Sequence, residues 1–334
     1  MKLAFTICAN NYLAHAKTLA VSFKKHHPDV TFCIAILDEP NASINYESLG
    51  ADTILWIHEL FPELVAGIKD TYNIAEICTV VKPKLFTHFF NNSYNTVLYV
   101  DPDIKVFSAF THVFDALKEN EMVLTPHICS PTGETGHPQD KDLMRTGIYN
   151  LGFLAVNNTE PIKSFIKWWD KRVQAYGFHD LKKGYFYDQI WLGYAPAFLD
   201  KVYVLRHLGY NVANWNLHER KIISSGEKYY VNDKTTPVAF FHYSHYKIEN
   251  FPSIAVYNQN FDLENREDIV PIFMDYKNSL LQNDYEKLKE IPYKFGKRKV
   301  DASKNSKELR ANKGRIYKSF QLLKKSLRMA LKGC

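Results

Sequence analysis

The feature that most constrains the fold is an alternation of short apolar runs with helical patterns through the first half of the chain. Five apolar runs have the length of buried strands, at residues 2–9, 30–38, 51–57, 96–101 and 122–128. Helical spacing separates most of them, although Pro83 weakens the helical pattern of 75–92. The alternation predicts an α/β fold whose mostly parallel sheet is flanked by helices and binds ligands beyond the carboxyl ends of its strands.

The second half of the chain is patterned less regularly. It predicts strands at 147–158 and 237–246, an amphipathic helix at 161–176 and a short helix within 185–198. Residues 130–144 are polar and rich in Gly and Pro, which predicts a loop.

Composition excludes several classes of protein. A hydrophobic fraction of 46% and a charged fraction of 23% are ordinary for a soluble globular protein. No apolar run approaches the roughly 18 residues of a membrane-spanning helix, and the opening residues lack the apolar length of a signal peptide. The five cysteines are scattered without a CxxC pair, which argues against a disulfide framework or a zinc site and favours a reducing cytoplasm.

Positive charge is concentrated in residues 294–334, which carry a net charge of +12 against +6 for the whole chain. Apolar residues at helical spacing lie among lysines and arginines at 314–334, a pattern typical of contact with an anionic membrane surface. RNA binding and a solubilising tail are the alternatives. We therefore expect a catalytic domain at 1–260, a helical extension at 261–293 and a basic amphipathic tail at 294–334.

Two aspartates follow the strand predicted at 96–101, in the sequence VLYVDPDIKVF. Carboxylates are rarely buried without a partner. Asp101 and Asp103 could share one divalent cation such as Mg²⁺ or Mn²⁺, which prefers oxygen ligands and substrate phosphates. Because Asp-Pro-Asp is also good turn chemistry, the spacing alone leaves a capped turn and a metal site equally open.

Four short motifs, in one order, resemble those of the GT-A glycosyltransferases, enzymes that use nucleotide sugars and are built on an α/β sheet. VLYVDPDIKVF resembles their DxD strand, and YNLGFLAVNN resembles the Asn-x-Gly strand of retaining family 8 enzymes. YDQIWL resembles the Asp-Gln helix start of that family, and FFHYSH its metal-binding histidine segment. The strings YNLGF, DQIWL and GYNVANWNLHER are closer still to uncharacterised bacterial glycosyltransferases of polysaccharide gene clusters.

The resemblance implies a metal site of three residues. Asp101 matches the first DxD acid, which contacts ribose and metal in the family, and Asp103 matches the second, the principal metal ligand. His242 matches the late histidine that completes the protein ligands, and an imidazole ligand favours Mn²⁺ over Mg²⁺. His245 is the alternative histidine and occupies the position of a family glycine. Lys247 stands one residue earlier than the lysine that grips the diphosphate in the family.

The resemblance also implies donor-binding residues. Asn150 matches the asparagine that faces the donor sugar, although it could instead cap a loop. Asp188 and Gln189 match the pair that reads donor hydroxyls and lines the sugar face opposite the leaving group. Lys82, or alternatively Lys84, lies near the family's basic residue facing the diphosphate. Four candidates for contact with the nucleotide base and ribose are chosen by position alone: Thr6, Cys8, Asn10 and Tyr12.

From this resemblance we expect a metal-dependent enzyme that moves a sugar from a nucleotide sugar, with UDP favoured, to a glycan or lipid-linked acceptor in bacterial surface polysaccharide synthesis. The motifs favour retention of anomeric configuration, whereas an inverting enzyme could use Asp188 as its base. The alternatives are a sugar nucleotidyltransferase, against which the lack of a Gly-rich phosphate loop in ICANNYLAHAK argues, and a non-catalytic glycan-binding protein.

The sequence also predicts where the protein is located and which partners it has. The protein is expected in the cytoplasm, on the inner face of the membrane through its basic tail, without a nucleic-acid partner.

The loop at 214–220 is rich in aromatic and amide side chains. It fits contact with a sugar and a capped loop around a buried Trp215 equally well.

Overall fold

A computed structural model describes residues 1–296. Its strands are β1 Lys2–Cys8, β2 Thr31–Ile36, β3 Thr53–Trp56, β4 Thr96–Val100, β5 Ile104–Val106, β6 Met122–Pro126, β7 Tyr149–Asn157, β8 His179–Asp180, β9 Tyr185–Phe186, β10 Val202–Val204, β11 Val212–Ala213, β12 Ile222–Ser225, β13 Lys228–Val231 and β14 Phe240–His242. Its α-helices are α1 Leu13–His26, α2 Ile57–Leu60, α3 Pro62–Ile68, α4 Ile74–Asn91, α5 Thr111–Ala116, α6 Asp140–Thr146, α7 Glu160–Tyr176, α8 Ala195–Phe198, α9 Val270–Gln282 and α10 Tyr285–Leu288. Short 3-10 helices lie at Asn10–Tyr12, Tyr46–Leu49, Gln189–Tyr194 and Glu267–Ile269.

The central sheet has seven strands in the order β10-β6-β7-β4-β1-β2-β3. Only β7 runs against its neighbours in this sheet, since it is antiparallel to both β4 and β6. The other pairs are parallel, so the carboxyl ends of β1, β2, β4 and β6 meet at one edge. The predicted α/β fold with a mostly parallel sheet is confirmed, and each of the five apolar runs contains a strand.

Helices cover both faces of this sheet because successive strand residues point to opposite sides. In β1, Phe5 and Ile7 pack in the same apolar layer as α4 and α7. Ala4 and Cys8 pack in the opposite layer, which includes α1 and α9. The helices therefore flank the sheet as predicted.

Helix α4 passes through Pro83 without a break. A capping box starts it: the Asn73 side chain accepts from the Glu76 backbone N–H at 3.1 Å, and the Glu76 carboxylate accepts from the Asn73 N–H at 2.9 Å. Val81 and Leu85, on either side of the proline, are fully buried. Capping and packing thus outweigh the cost of the proline in this helix.

A second, three-stranded sheet has the order β11-β14-β5. β5 directly follows the DPD turn and pairs antiparallel with β14, which places His242 opposite Ile104. The strand predicted at 237–246 is shorter in the structure, at Phe240–His242. His245 has a left-handed backbone (φ 60°), which is incompatible with an extended run.

One local prediction is corrected, and one local element was missed. The loop predicted at 130–144 contains the start of α6, where Gln139 and Asp142 form a capping box. The hairpin of β12 and β13 was not predicted. The helix predicted at 161–176 is confirmed as α7.

The predicted basic tail falls outside the described residues from position 297 onward. Within residues 1–296, no helix combines the length and the apolar character needed to cross a bilayer. The four cysteines in this range, Cys8, Cys33, Cys78 and Cys129, are free thiols.

Candidate functional site

The DPD turn lies where β4 leaves the central sheet. The Asp101 backbone N–H donates to the Gly152 carbonyl at 2.7 Å, which continues the pairing of β4 with β7. The Tyr99 hydroxyl donates to Asp101 Oδ1 at 2.5 Å. The backbone N–H of Tyr243, the residue after β14, donates to the Asp103 carbonyl at 2.9 Å. Both aspartates are therefore fixed by the two sheets that meet at this turn.

Asp101, Asp103 and His242 converge at this edge. His242 Nε2 lies 3.1 Å from Asp103 Oδ1 and 3.6 Å from Asp101 Oδ2. One candidate ligand atom from each residue falls within 4.8 Å of the others. The imidazole is buried, whereas both carboxylates are partly open to solvent. The structure thus brings together the three predicted metal ligands.

The electrostatics of this cluster follow from burial and proximity. Burial raises the pKa of Asp101, and the nearby Asp103 charge raises it further, against the opposing effects of Lys82 and His242. Burial acts in the same direction on Asp103, but His242 outweighs it and holds the pKa of that carboxyl below its usual range. For His242, burial lowers the pKa and the two aspartates overcome this, so the net shift is upward. The site favours a positive partner between the carboxylates.

Gly152 explains why β7 carries a glycine at this point. A Cβ atom on Gly152 would lie 2.4 Å from His242 Cε1 and 2.9 Å from Asn150 Oδ1. Only glycine leaves room for the histidine ring beside β7. His242 Nδ1 in turn lies 3.2 Å from Asn150 Oδ1.

Asn150 and Gln189 are buried and bonded to each other. Asn150 Nδ2 donates to Gln189 Oε1 at 3.3 Å, and Gln189 Oε1 also accepts from the Leu151 N–H at 2.9 Å. Gln189 Nε2 donates to the Thr146 carbonyl at 2.8 Å. Both predicted donor-binding amides thus lie next to the cluster of Asp101, Asp103 and His242, with their polar atoms engaged inside the protein.

Lys82 and Asp188 form a buried ion pair beside the cluster. Lys82 Nζ lies 2.6 Å from Asp188 Oδ2, donates to the Leu151 carbonyl at 3.2 Å and sits 3.9 Å above the Tyr99 ring. Burial raises the pKa of Asp188, and Lys82 opposes that rise. Lys84, the alternative to Lys82, points away and pairs with Asp170 at 3.1 Å.

The end of β1 contributes a buried wall. The side chains of Thr6 and Cys8 are buried, and the Thr6 hydroxyl has no hydrogen-bond partner within residues 1–296. Asn10 is bonded at three points: its backbone N–H to Asp38, its Nδ2 to the Glu39 carbonyl, and its Oδ1 as acceptor from the Tyr46 hydroxyl.

Tyr12 belongs to the same end of β1 and also approaches the cluster. Its ring stacks on His15 with the centroids 3.8 Å apart. The Asp103 charge adds to burial in raising the pKa of the Tyr12 hydroxyl. Tyr12 therefore connects the predicted nucleotide-binding positions with the acidic site.

The remaining candidates lie around this centre. His245 and Lys247 are exposed, and the His245 ring meets the Tyr257 ring at 5.2 Å. Trp215 is buried, with its ring edge-on to His242 and to His127, each at 5.2 Å. The loop at 214–220 therefore packs against the His242 ring through Trp215.

Three site residues were missed by the sequence analysis. Tyr99 orients Asp101, His127 bonds to Asn150, and His15 lies beneath Tyr12. None of them was among the predicted site residues, and the partner of His127 lies 23 residues away in the sequence. Only the position of Tyr99, two residues before Asp101 on the same face of β4, could have indicated a role.

This donor set fits a hard or borderline divalent cation. Two carboxylate oxygens and one imidazole nitrogen suit Mn²⁺ or Mg²⁺, and partly open carboxylates leave access for oxygens of a ligand. Histidine ligands commonly donate their other ring N–H to a fixed acceptor, and Asn150 Oδ1 occupies that position for His242. The residues can hold a metal and a phosphate-bearing ligand together.

Comparisons with known proteins give modest similarities. No family model matches the chain. Two Bacillus subtilis (strain 168) proteins, both described as uncharacterized, are similar: YfnD is 26% identical over 199 residues, and YfnF is 22% identical over 255 residues. These matches span 58% of this chain and 60% of YfnD, and 75% of this chain and 83% of YfnF.

The solved structures with similar folds include glycosyltransferases. The galactosyltransferase LgtC, in complex with donor and acceptor sugar analogs, is 18% identical with a TM-score of 0.46, over 87% of this chain and 98% of that one. The glycosyltransferase GlyE of Streptococcus pneumoniae TIGR4 is 15% identical with a TM-score of 0.48, over 88% of this chain and 65% of that one. Proteins that share a fold can differ in activity, so function depends on the residues of the site.

Proposed function

We propose that this protein is a metal-dependent glycosyltransferase of the GT-A type that transfers a sugar from a nucleotide sugar to a hydroxyl acceptor. The observation that carries the proposal is the convergence of Asp101, Asp103 and His242 at the carboxyl edge of a mostly parallel sheet. Ligands of α/β sheets bind at this edge. The order of the sequence motifs points the same way.

The three residues would hold Mn²⁺ or Mg²⁺, with the imidazole of His242 favouring Mn²⁺. When bound, the cation would supply Lewis-acid stabilisation of the negative charge that develops on the leaving diphosphate. Asp103 would be the principal ligand, because it matches the second acid of the DxD motif and its Oδ1 lies 3.1 Å from His242 Nε2. Asp101, held by Tyr99 through one oxygen, retains the other for the metal or a ribose hydroxyl.

The nucleotide, for which we favour UDP, would lie across the end of β1 between Asn10 and Tyr12. Asp188 supports retention over inversion, because its ion pair with buried Lys82 leaves it poorly placed to take a proton from an acceptor hydroxyl. The anomeric proton coupling of the product, measured by NMR, distinguishes the two outcomes.

For the acceptor we propose a glycan or a lipid-linked glycan of a bacterial surface polysaccharide. The basic residues at 294–334 would bring the enzyme to the anionic inner face of the membrane. Sedimentation with anionic liposomes tests this second step, since a chain ending near Lys294 should stay in the supernatant.

The proposed activity is tested by a thermal-shift screen of nucleotide sugars with and without Mn²⁺, followed by turnover assays with the donor that shifts the melting temperature. Asp103→Ala and His242→Ala should abolish Mn²⁺-dependent turnover, whereas Asp115→Ala, an exposed acid remote from the site, should leave it intact. No melting shift with any donor, or full activity of either site variant in EDTA, would contradict the proposal.

A further inference from the structure

His127 lies behind the metal cluster and takes part in a chain of hydrogen bonds that reaches His242. Its backbone N–H and its Nδ1 both approach the Ile148 carbonyl, at 3.0 Å and 3.3 Å. A carbonyl oxygen only accepts, so Nδ1 carries the hydrogen and Nε2 is left with a lone pair. Asn150 Nδ2 lies 3.2 Å from that Nε2 and therefore donates to it.

The orientation of the Asn150 amide is fixed by its other contacts. Asn150 Oδ1 accepts from the Gly152 N–H at 3.2 Å, and Nδ2 donates to Gln189 Oε1 at 3.3 Å. Gln189 cannot turn its own amide around, because Oε1 accepts from the Leu151 N–H and Nε2 donates to the Thr146 carbonyl. Backbone groups thus determine which end of Asn150 faces His242.

The consequence falls on the tautomer of His242. Because Asn150 presents Oδ1, the only favourable partner at 3.2 Å is a protonated Nδ1 on His242. The Nε2 lone pair of the neutral ring then faces Asp101 and Asp103, as a metal ligand requires. Trp215, edge-on to the rings of both histidines at 5.2 Å, closes the space around them.

We propose that Asn150, oriented by His127 and Gln189, is a positioning residue that fixes the metal-binding tautomer of His242. The inference rests on the proposed metal-dependent function. It assigns Asn150 to metal affinity in place of direct contact with the donor sugar, since both hydrogens of Nδ2 and the Oδ1 atom are already engaged inside the protein. It also gives His127 a role that no motif indicates.

The test is the Kd for Mn²⁺ alone, measured by EPR titration of the full chain. Asn150→Leu, which keeps the size but cannot accept from His242, should raise the Kd by about 10- to 100-fold. His127→Phe should raise it by up to about 10-fold, because Gln189 still holds the amide. His127→Gln, which can offer Asn150 a carbonyl oxygen, should restore most of the affinity.

His27→Phe is the matched control. His27 is equally buried and its Nε2 also accepts a hydrogen bond, from the Phe110 N–H at 3.2 Å, but it belongs to the apolar layer of α1. This variant should lose stability without losing Mn²⁺ affinity. Circular dichroism of each variant without metal separates misfolding from a local effect.

The outcomes are distinguishable from failure of the proposed function. If the unmodified protein binds no Mn²⁺, both proposals fail. If it binds Mn²⁺ and both Asn150→Leu and His127→Phe bind it with unchanged Kd, only the positioning role is overturned. A raised KM for the nucleotide sugar in Asn150→Leu with unchanged Mn²⁺ affinity would likewise overturn it, in favour of donor contact.

Discussion

Two charged clusters meet at the same edge of the sheet, on either side of Tyr99, and they differ in exposure and in charge balance. Lys82 and Asp188 have 2% and 4% of their side-chain surface exposed and neutralise each other. Asp101 and Asp103 have 29% and 16% exposed, and a single histidine faces both of them. The first cluster is closed and balanced, whereas the second is open and carries an excess of negative charge.

The difference indicates which cluster binds a ligand and which shapes the site. A balanced buried pair gains little from an added ion, whereas two partly solvated carboxylates can accept a cation at low cost. Tyr99 couples the clusters, because its hydroxyl binds Asp101 while its ring lies under Lys82. The closed pair is thus connected to the open site through Tyr99.

The largest expected effect comes from breaking the closed pair. Lys82→Met leaves the Asp188 carboxylate buried without a partner and should lower the free energy of unfolding by about 3–5 kcal/mol. Adding Asp188→Leu should recover most of that loss. Guanidinium denaturation measures both variants.

Lys84→Met is the matched control, because Lys84 lies on the same helix and pairs with Asp170 while 38% of its side chain is exposed. It should cost no more than about 1 kcal/mol. Equal losses for Lys82→Met and Lys84→Met would show that burial of the pair does not matter.

Acidification should lower the free energy of unfolding through three buried histidines and raise it through His242. Burial lowers the pKa of His15, His27 and His127 to about 4, so the unfolded chain binds more protons than the folded one between pH 6.5 and 4. Each should therefore cost roughly 2 kcal/mol of stability between pH 7 and pH 5. His242, whose pKa is raised, contributes stability that is present at low pH and lost as pH rises.

Denaturation midpoints at pH 7 and pH 5 measure this balance. The net effect should be destabilisation at pH 5, and His27→Phe should show a smaller loss between the two pH values than the unmodified protein. An identical loss in both proteins would contradict the assignment of a low pKa to His27.

A smaller effect is expected from crowding the open site. Gly152→Ala places a methyl group 2.4 Å from the present position of His242 Cε1, so the ring must leave the position in which its Nε2 faces the carboxylates. The Kd for Mn²⁺ should rise by about 10-fold, which corresponds to about 1.4 kcal/mol. Gly193→Ala, whose new methyl group meets no atom within 4 Å, should leave the Kd unchanged. An unchanged Kd in Gly152→Ala would show that the glycine does not position the histidine.

Much of the fold was predictable because buried parallel strands consist of continuous runs of apolar residues. The elements that were missed or shortened depend on local chemistry that periodicity does not report. The hairpin of β12 and β13 alternates weakly, α6 begins at a capping box inside a polar loop, and β14 ends at the left-handed His245. Pro83 was a misleading signal, since packing on both sides holds α4 together.

The residues of the site were also predictable only in part. Asp101, Asp103 and His242 carry a recognisable spacing or motif, and the fold brings them together. The residues that orient them, such as the remote His127 and the adjacent Tyr99, carry no motif role, and their roles follow from hydrogen-bond partners alone. The ion pair of Lys82 with Asp188 joins two residues that the sequence assigned separately to the diphosphate and the sugar.

The central claim is that the open cluster is a metal site, and the most direct measurement is Mn²⁺ binding to the unmodified chain and to Asp103→Asn by EPR titration. Asp103→Asn keeps the shape of the side chain while removing the charge of the proposed principal ligand. We predict saturable binding of one Mn²⁺ to the unmodified protein and a loss of at least about 100-fold in affinity for Asp103→Asn. Equal binding by the two proteins, or none by either, would contradict the account.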